Sequence, residues 1–464
     1  IGSWRRDDGR NLVIDPENLR ADSSGTKPWT DILTDKRCTL GSGAFSTVFK
    51  AYLRKDHLSQ EEDRRVGQDI SVKRIDGRSF VPVAVKKLNE KGFEGDSFLE
   101  EIKILSKVPP FRHITNLHGV VFEESTCLIV TELGGPHTLA WHLASASSSS
   151  TVPPSPLCTS WIARLKVLLG ISEALKLLHS MNPTVLHLDL KSNNILIDDL
   201  GGGRFLPKLC DFGLAVEAKP GFSFLNPANS GTLQWMAPEV MKSDSVEFSK
   251  GFDQAADVFS FAVLMWEIAH PGRVPWDELA VDVNQETIQN RIREMVCSNR
   301  RLEVDETVAK ATWPNGYLDL MRFCWRANPA ERPRFKRSFL TDPESFSYVD
   351  TRGRRSRDVH EESIVCTIMQ ILWTEKSNKR VSMGANTAGR GKSRHSTTGY
   401  KRFNGHAREA KFSGGQPRPR APSEQFTGSR ARASGKDGSS PGFDMPPVAV
   451  KPRTPSAPGG VDDE

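Results

Sequence analysis

The chain lacks any C-x-x-C pair, and its seven cysteines are scattered and odd in number: Cys38, Cys127, Cys158, Cys210, Cys297, Cys324 and Cys366. That pattern argues against a disulfide framework or a zinc site and for a reducing compartment, so a cytoplasmic location is the expectation. No uninterrupted apolar stretch is long enough to span a bilayer, and no secretory signal pattern is present. The first residue is Ile1 rather than Met, which leaves room for a missing N-terminal domain or membrane tether. Net charge is also low, +6 over 464 residues, and it is unevenly spread. From Thr351 to Glu464, Lys and Arg outnumber Asp and Glu by 10, whereas residues 1–350 carry a net −4. The basicity therefore belongs to the C-terminal part. Hydrophobic residues at 37% and charged residues at 26% still allow a sizeable core.

Residues 1–32 are polar, show no clear period and read as an N-terminal extension. From about Ile32 the pattern becomes strand-like. Leu40 to Tyr52 carries a glycine turn followed by a strand, and Phe80 to Leu88 is the next strand. The charge-rich stretch between them, Arg54 to Ser79, reads as a solvated insertion. Phe98 to Val108 has helical spacing, and Cys127 to Leu133 is a short apolar strand. The run Ser145 to Pro154 reads as a flexible loop. Long helices are expected at Trp161 to His179 and Asp257 to Ala269, with another around Leu318 to Trp325. After about Leu340 one more apolar segment, Ser363 to Trp373, stands out within residues 341–375. From 376 to 464 Gly, Ser, Arg, Lys and Pro dominate, so too little apolar surface is available to offset the entropy of ordering. That tail reads as disordered. Its Arg, Lys and Gly content would suit RNA or an anionic membrane surface, but it has few aromatics for base stacking, and no specific nucleic-acid or membrane partner is established. An acidic partner is the alternative to a merely solvated tail.

Several segments carry chemistry. Gly41-Ser42-Gly43-Ala44-Phe45-Ser46-Thr47-Val48 heads a strand, where glycines let backbone N–H groups approach phosphate oxygens. Val83-Ala84-Val85-Lys86 fits the strand motif V-A-I-K, and period-two alternation puts Ala84 and Lys86 on one face. In isolation these two segments would be a turn and a solvated Lys pair. Phe98, Glu101 and Leu105 share one face of the next helix, which puts a carboxylate on an apolar face. It is costly there unless paired, and Lys86 is the natural partner. His187-Leu188-Asp189-Leu190-Lys191-Ser192-Asn193-Asn194 matches H-R-D-L-x-x-x-N except at Leu188. Asp211-Phe212-Gly213 and Ala237-Pro238-Glu239 then follow in order. Each tripeptide alone occurs by chance, but the ordered set with this spacing does not.

Residues from about 33 to 340 resemble a eukaryotic protein kinase domain, most nearly the tyrosine-kinase-like group of serine/threonine kinases. The resemblance implies an α+β fold of two lobes. A small β-rich N-lobe with one key helix spans about 33–133, and a larger, mostly helical C-lobe spans about 134–340. The segment Ser363 to Trp373 would be a displaced last helix of that lobe. The implied reaction is γ-phosphoryl transfer from Mg-ATP to hydroxyls of protein substrates. Gly41, Gly43, Val48, Ala84, Lys86, Thr131, Glu132 and Leu133 would meet the nucleotide, with Thr131 as gatekeeper and the Glu132–Leu133 backbone on the adenine edge. Asp189 would take or orient the substrate proton, Lys191 would neutralise charge on the transferring phosphate, and Lys86 with Glu101 would complete the catalytic set. Asn194 and Asp211 would hold Mg2+.

The resemblance extends further. Ser230 to Glu239 resembles the group's substrate-docking loop, Asp257 would brace the catalytic loop, and Arg332 would pair with Glu239. Serine/threonine specificity rests on Lys191 and Thr232. Tyrosine or dual specificity, and a pseudokinase scaffold with a basic binding tail, are the rival readings. The intact Lys86, Glu101, Asp189, Asn194 and Asp211 speak against the scaffold. Two residues depart from the family pattern. Ser46 stands where the third glycine is usual. Leu188 replaces an Arg that receives a phosphate on the activation loop, so control through Ser223 or Ser230 is expected to be weak.

Overall fold

The computed structural model describes residues 11–21, 29–33, 36–42, 46–58, 73–75, 78–88, 97–123, 126–146, 154–218, 232–242, 253–279, 284–335 and 363–388. The first lobe is built on a seven-stranded antiparallel sheet. Its strands are β1 (Leu19–Arg20), β2 (Thr39–Ser42), β3 (Ser46–Arg54), β4 (Lys73–Ile75), β5 (Arg78–Leu88), β6 (Leu117–Glu123) and β7 (Thr126–Glu132), with β1-β3-β5-β7-β6 as the main path. Strict alternation makes the sheet two-faced. Phe49, Ala51 and Leu53 of β3 and Val81, Val83 and Val85 of β5 are buried on one face, together with Leu128 and Val130. The other face carries Val48 opposite Lys86, and Ala84 opposite Thr131. Directly opposed residues lie on the same face, so Val48, Ala84, Lys86 and Thr131 line one wall.

The N-terminal extension differs from expectation. Leu12, Ile14, Leu19 and Ala21 are buried, β1 pairs with β3, and the segment at Val13 lies against β6. The Ile14 N–H donates to the Val120 carbonyl and the Val120 N–H to the Leu12 carbonyl, both at 2.8 Å. Gly119 permits the approach, because a Cβ there would sit 2.4 Å from the Leu12 oxygen. Residues 11–21 are thus part of the lobe's core rather than a polar leader. The charged insertion is also shorter than expected, since β4 already pairs with the start of β5; residues 59–72 lie outside the described set.

Helix α1 (Ser97–Lys107) packs beneath the sheet through Phe98, Ile102 and Leu105. Beyond β7 come the short β8 (His137–Thr138), α2 (Leu139–Ala144), α3 (Pro156–Thr159) and α4 (Trp161–Ser180). Most of the Ser145 to Pro154 loop lies outside the described residues. Strands β9 (Thr184–Leu186), β10 (Ile195–Asp199), β11 (Phe205–Leu209) and β12 (Val216–Ala218) form two small antiparallel sheets, with β10 between β11 and β8 and with β12 on β9. The second lobe is then helical: α5 (Pro238–Met241), α6 (Ala255–Ala269), α7 (Gln285–Cys297), α8 (Glu306–Thr312) and α9 (Tyr317–Cys324). Helix α6 is buried all round, as the central helix of a lobe must be.

Helix α10 (Ile364–Ala388) packs on α4, and Ile364, Val365, Ile368, Ile371 and Leu372 in its first half are buried. It begins where expected but continues past Lys376, where the tail was expected to lose structure. Once a buried first half has nucleated a helix, each further residue adds one hydrogen bond at little cost. Residues 389–464 lie outside the described set.

Candidate active site

The Lys86 ammonium sits between two carboxylates. Its Nζ donates to Glu101 Oε1 and Oε2 at 2.8 and 2.9 Å and to Asp211 Oδ1 at 2.9 Å. Burial works against the Lys86 charge, but Glu101 and Asp211 outweigh it and hold its pKa above the ordinary lysine value. Burial likewise raises the Glu101 carboxyl, with Lys86 opposing. At Asp211 the desolvation is overcome by Lys86, and the carboxyl lies below its usual range. Glu100, one residue earlier, is exposed and pairs with Lys103.

The loop after β9 is held in an unusual conformation. Leu188 in that loop has φ +59°, and Asp211, in the turn after β11, has φ +61°, left-handed values that cost energy in residues with a Cβ. The buried Asp257 carboxylate of α6 maintains the first: it accepts from the His187 N–H at 3.0 Å and the Leu188 N–H at 2.9 Å. Burial would raise that carboxyl, but bonds from His179 and the loop hold it below the usual range. His187 ties this loop to the D-F-G turn. Its Nε2 lies 3.2 Å from the Cys210 carbonyl, and its ring meets buried Phe212 edge-on at 5.1 Å.

Asp189 stands at the centre of a polar cluster. Lys191 Nζ reaches its two oxygens at 3.0 and 2.7 Å, and Asn194 Nδ2 reaches Oδ2 at 2.8 Å. The Thr232 hydroxyl lies 3.2 Å from Asp189 Oδ1 and accepts from Lys191 Nζ at 2.6 Å. The Cys210 N–H donates to the Asn194 carbonyl at 3.0 Å, which sets Asp211 beside Asn194. Arg332 holds Glu239 with two bonds of 2.6 and 2.9 Å, anchoring the segment after Thr232.

The segment joining the lobes departs from expectation in one respect. The Glu132 N–H donates to the Asn116 carbonyl at 2.8 Å, which removes it from the groups that can meet an adenine edge. The Glu132 side chain accepts from Asn116 Nδ2 at 2.7 Å and is ion-paired with Lys208. Leu133 is half-buried at the start of the connection, and Gly135 passes so close to β10 that a Cβ would fall 1.8 Å from the Ile197 oxygen. Gly41 is exposed in β2; Gly43, Ser223 and Ser230 lie outside the described residues.

Two contacts escaped the sequence reading. Lys107 at the end of α1 is ion-paired with Glu217 of β12. Glu267, buried in α6, accepts from Ser192 and Trp235. The signal for the second was present: a single acid inside the apolar run Val263 to Ala269 needs buried donors.

Comparison with known proteins accords with this geometry. The family model for protein tyrosine and serine/threonine kinases matches residues 34–341, and the chain belongs to that family. It is 31% identical over 255 residues to the proline-rich receptor-like protein kinase PERK2 of Arabidopsis thaliana, covering 54% of this chain and 29% of the relative. To the serine/threonine-protein kinase CTR1 of the same plant it is 26% identical over 310 residues, covering 66% and 31%. To the probable serine/threonine-protein kinase drkD of Dictyostelium discoideum it is 29% identical over 239 residues, covering 51% and 16%. The chain therefore spans less than a third of the length of these relatives.

Proposed function

We propose that the chain is a protein serine/threonine kinase that moves the γ-phosphate of ATP to the hydroxyl of a protein substrate. The observation that carries this is the contact of Asp189, Lys191 and Thr232 at one point of the cleft. Asp189 accepts the proton as the substrate oxygen bonds to the γ-phosphorus, and the bond from that phosphorus to the bridging oxygen breaks, releasing ADP. Lys191 offsets the charge gathering on the equatorial oxygens. Lys86, braced by Glu101, holds the phosphates of the donor, and the wall of Val48, Ala84 and Thr131 takes the adenine.

Asp211 and Asn194 suit Mg2+. A carboxylate and an amide oxygen are hard donors, and this ion keeps waters and phosphate oxygens rather than a full protein cage. Asn194 donates through its amide nitrogen to Asp189, which turns the amide oxygen to the other side. When bound, the ion supplies positive charge on the phosphates.

Lys86→Met and Asp211→Ala test the reading. Each abolishes phosphate transfer while the domain stays folded; full activity in either purified variant would remove that residue from the site.

A further inference from the structure

Arg301, in the loop that follows α7, is half-buried. Its guanidinium donates to three carbonyls: Nε to Trp325 at 2.7 Å, and Nη1 to Val296 at 3.2 Å and to Arg300 at 2.7 Å. Its Nη2 is buried and has no partner among the described residues. No carboxylate among them pairs with this cation either, because Glu239 is held by two bonds from Arg332. The Arg301 and Arg332 guanidiniums both lie 5.1 Å from the ring centre of Phe259, so two cations crowd one ring while a single carboxylate serves them. Burial and the charge of Arg332 lower the Arg301 pKa to about 10, which leaves it charged at neutral pH. A buried donor without an acceptor and a cation without an anion both cost stability, so each needs a reason.

The same guanidinium lines a cavity of about 430 Å³, a size ordinary for a small-ligand site. Arg322 from the last turn of α9 and Arg326 just beyond that helix line it too, and Glu331 is the one acid of the lining. Arg322 is ion-paired with Glu306, which also serves Lys310, and Arg326 stands 3.7 Å from Glu331. Solvent-exposed pairs of this kind contribute little, so a stronger anion can displace them. Three guanidiniums and one carboxylate thus face one cavity. Its one aromatic residue, Trp325, is buried and offers no face on which a nucleobase could stack. Guanidinium forks grip phosphate oxygens in pairs, and a dianion answers more than one of them.

We infer that this cavity is an anion site for a phosphate monoester, the group carried by a phosphorylated serine or threonine, with Arg301 as its buried cation and Arg322 and Arg326 on its rim. The phosphate supplies the negative charge that Arg301 lacks. A bracing role for Arg301 alone, through its bonds to carbonyls, would need no cations on the rim. The site is independent of the reaction assigned to the cleft, since none of its residues belongs to that machinery.

Fluorescence anisotropy of a labelled phosphoserine peptide on the full chain, at about 0.15 M salt, tests it. The unphosphorylated serine peptide binds about thirtyfold more weakly, and inorganic phosphate competes with the phosphopeptide. Arg322→Met combined with Arg326→Met weakens phosphopeptide binding by about tenfold. Both changes leave the basic C-terminal part intact, so the loss reports the cavity alone. Arg301→Lys keeps the charge without the fork and weakens binding by about as much; if it does not fold, the rim variant decides. Lys86→Met leaves the affinity unchanged, which separates the cavity from the phosphate-binding groups of the cleft. Tighter binding of the peptide than of inorganic phosphate assigns the site to a phosphorylated protein, and equal binding assigns it to the free ion. Equal affinity for the serine and phosphoserine peptides, full affinity in the rim variant, or loss of binding with Lys86→Met overturns the site.

Discussion

Lys107, the last residue of α1, is ion-paired with Glu217 of β12, and the Glu217 side chain is buried. These two segments also meet at the cleft, where α1 contributes Glu101 and the turn before β12 contributes Asp211, both to Lys86. The Lys107 contact therefore holds the far end of α1 while Lys86 holds its middle. Lys107→Met removes a cation from a buried carboxylate, an expensive loss. It should lower peptide kcat/KM by about tenfold, roughly 1.4 kcal/mol of transition-state stabilisation. Exchanging the charges, Lys107→Glu with Glu217→Lys, should recover most of the loss. Steady-state kinetics on the single and double variants decides it; no recovery would show that the two side chains do not act through each other.

Leu188 packs against the core with its backbone pinned by Asp257. It offers no charge to a phosphate on the activation segment, so a charge-assisted contact of the kind that orders such segments is missing at this position. Phosphatase treatment is expected to change the peptide rate by less than about threefold. A fall of about a hundredfold, restored by rephosphorylation at Ser223 or Ser230, would show that another basic residue replaces the usual Arg.

Burial pushes the Glu267 carboxyl from 4.5 up to about 7, with the bonds from Ser192 and Trp235 opposing. The folded state then holds a proton that the unfolded state has released between those values. The contribution is fully present below about pH 4.5 and is lost as pH rises through about 7. Asp211 and Asp257 shift the other way, so the comparison must be made against Glu267→Gln. From pH 4.5 to 8 the stability of the wild type relative to the Gln variant should fall by on the order of 3 kcal/mol. Chemical denaturation at several pH values measures it, and a constant difference would mean that Glu267 does not titrate in that range.

Helix α10 packs on α4 and buries five apolar side chains in its first half, Ile364, Val365, Ile368, Ile371 and Leu372. Truncation after Phe335 exposes the α4 surface and should lower the melting temperature by more than about 10 °C. Truncation after Ala388 should leave it within about 2 °C. Differential scanning calorimetry of both truncated chains is sufficient. A large loss on the second cut would place part of the tail on the domain.

Where the chemistry demands particular residue types at set separations, the sequence is readable. Lys86, Glu101, Asp189, Asn194 and Asp211 can be picked out because phosphate and carboxylate chemistry tolerates few substitutes. The pairing of Glu101 with Lys86 follows from the cost of an acid on an apolar helix face. Backbone docking is harder to read. Leu12 and Ile14 enter the core from a run of only three apolar residues, Leu12 to Ile14, whose placement depends on main-chain bonds to Val120, and such bonds leave no side-chain pattern. The engagement of the Glu132 N–H by Asn116 is hidden for the same reason. Helix α7 was legible in principle, since Ile288, Ile292 and Val296 form a stripe four residues apart, but its polar majority masks it.

The most direct test of the account is to incubate the chain with Mg-ATP and a peptide library in which the acceptor is Ser, Thr or Tyr, with Asp189→Asn alongside. The account predicts phosphate on Ser and Thr peptides from the wild type and none from the variant. Phosphate on Tyr alone, or undiminished transfer by Asp189→Asn, would contradict it.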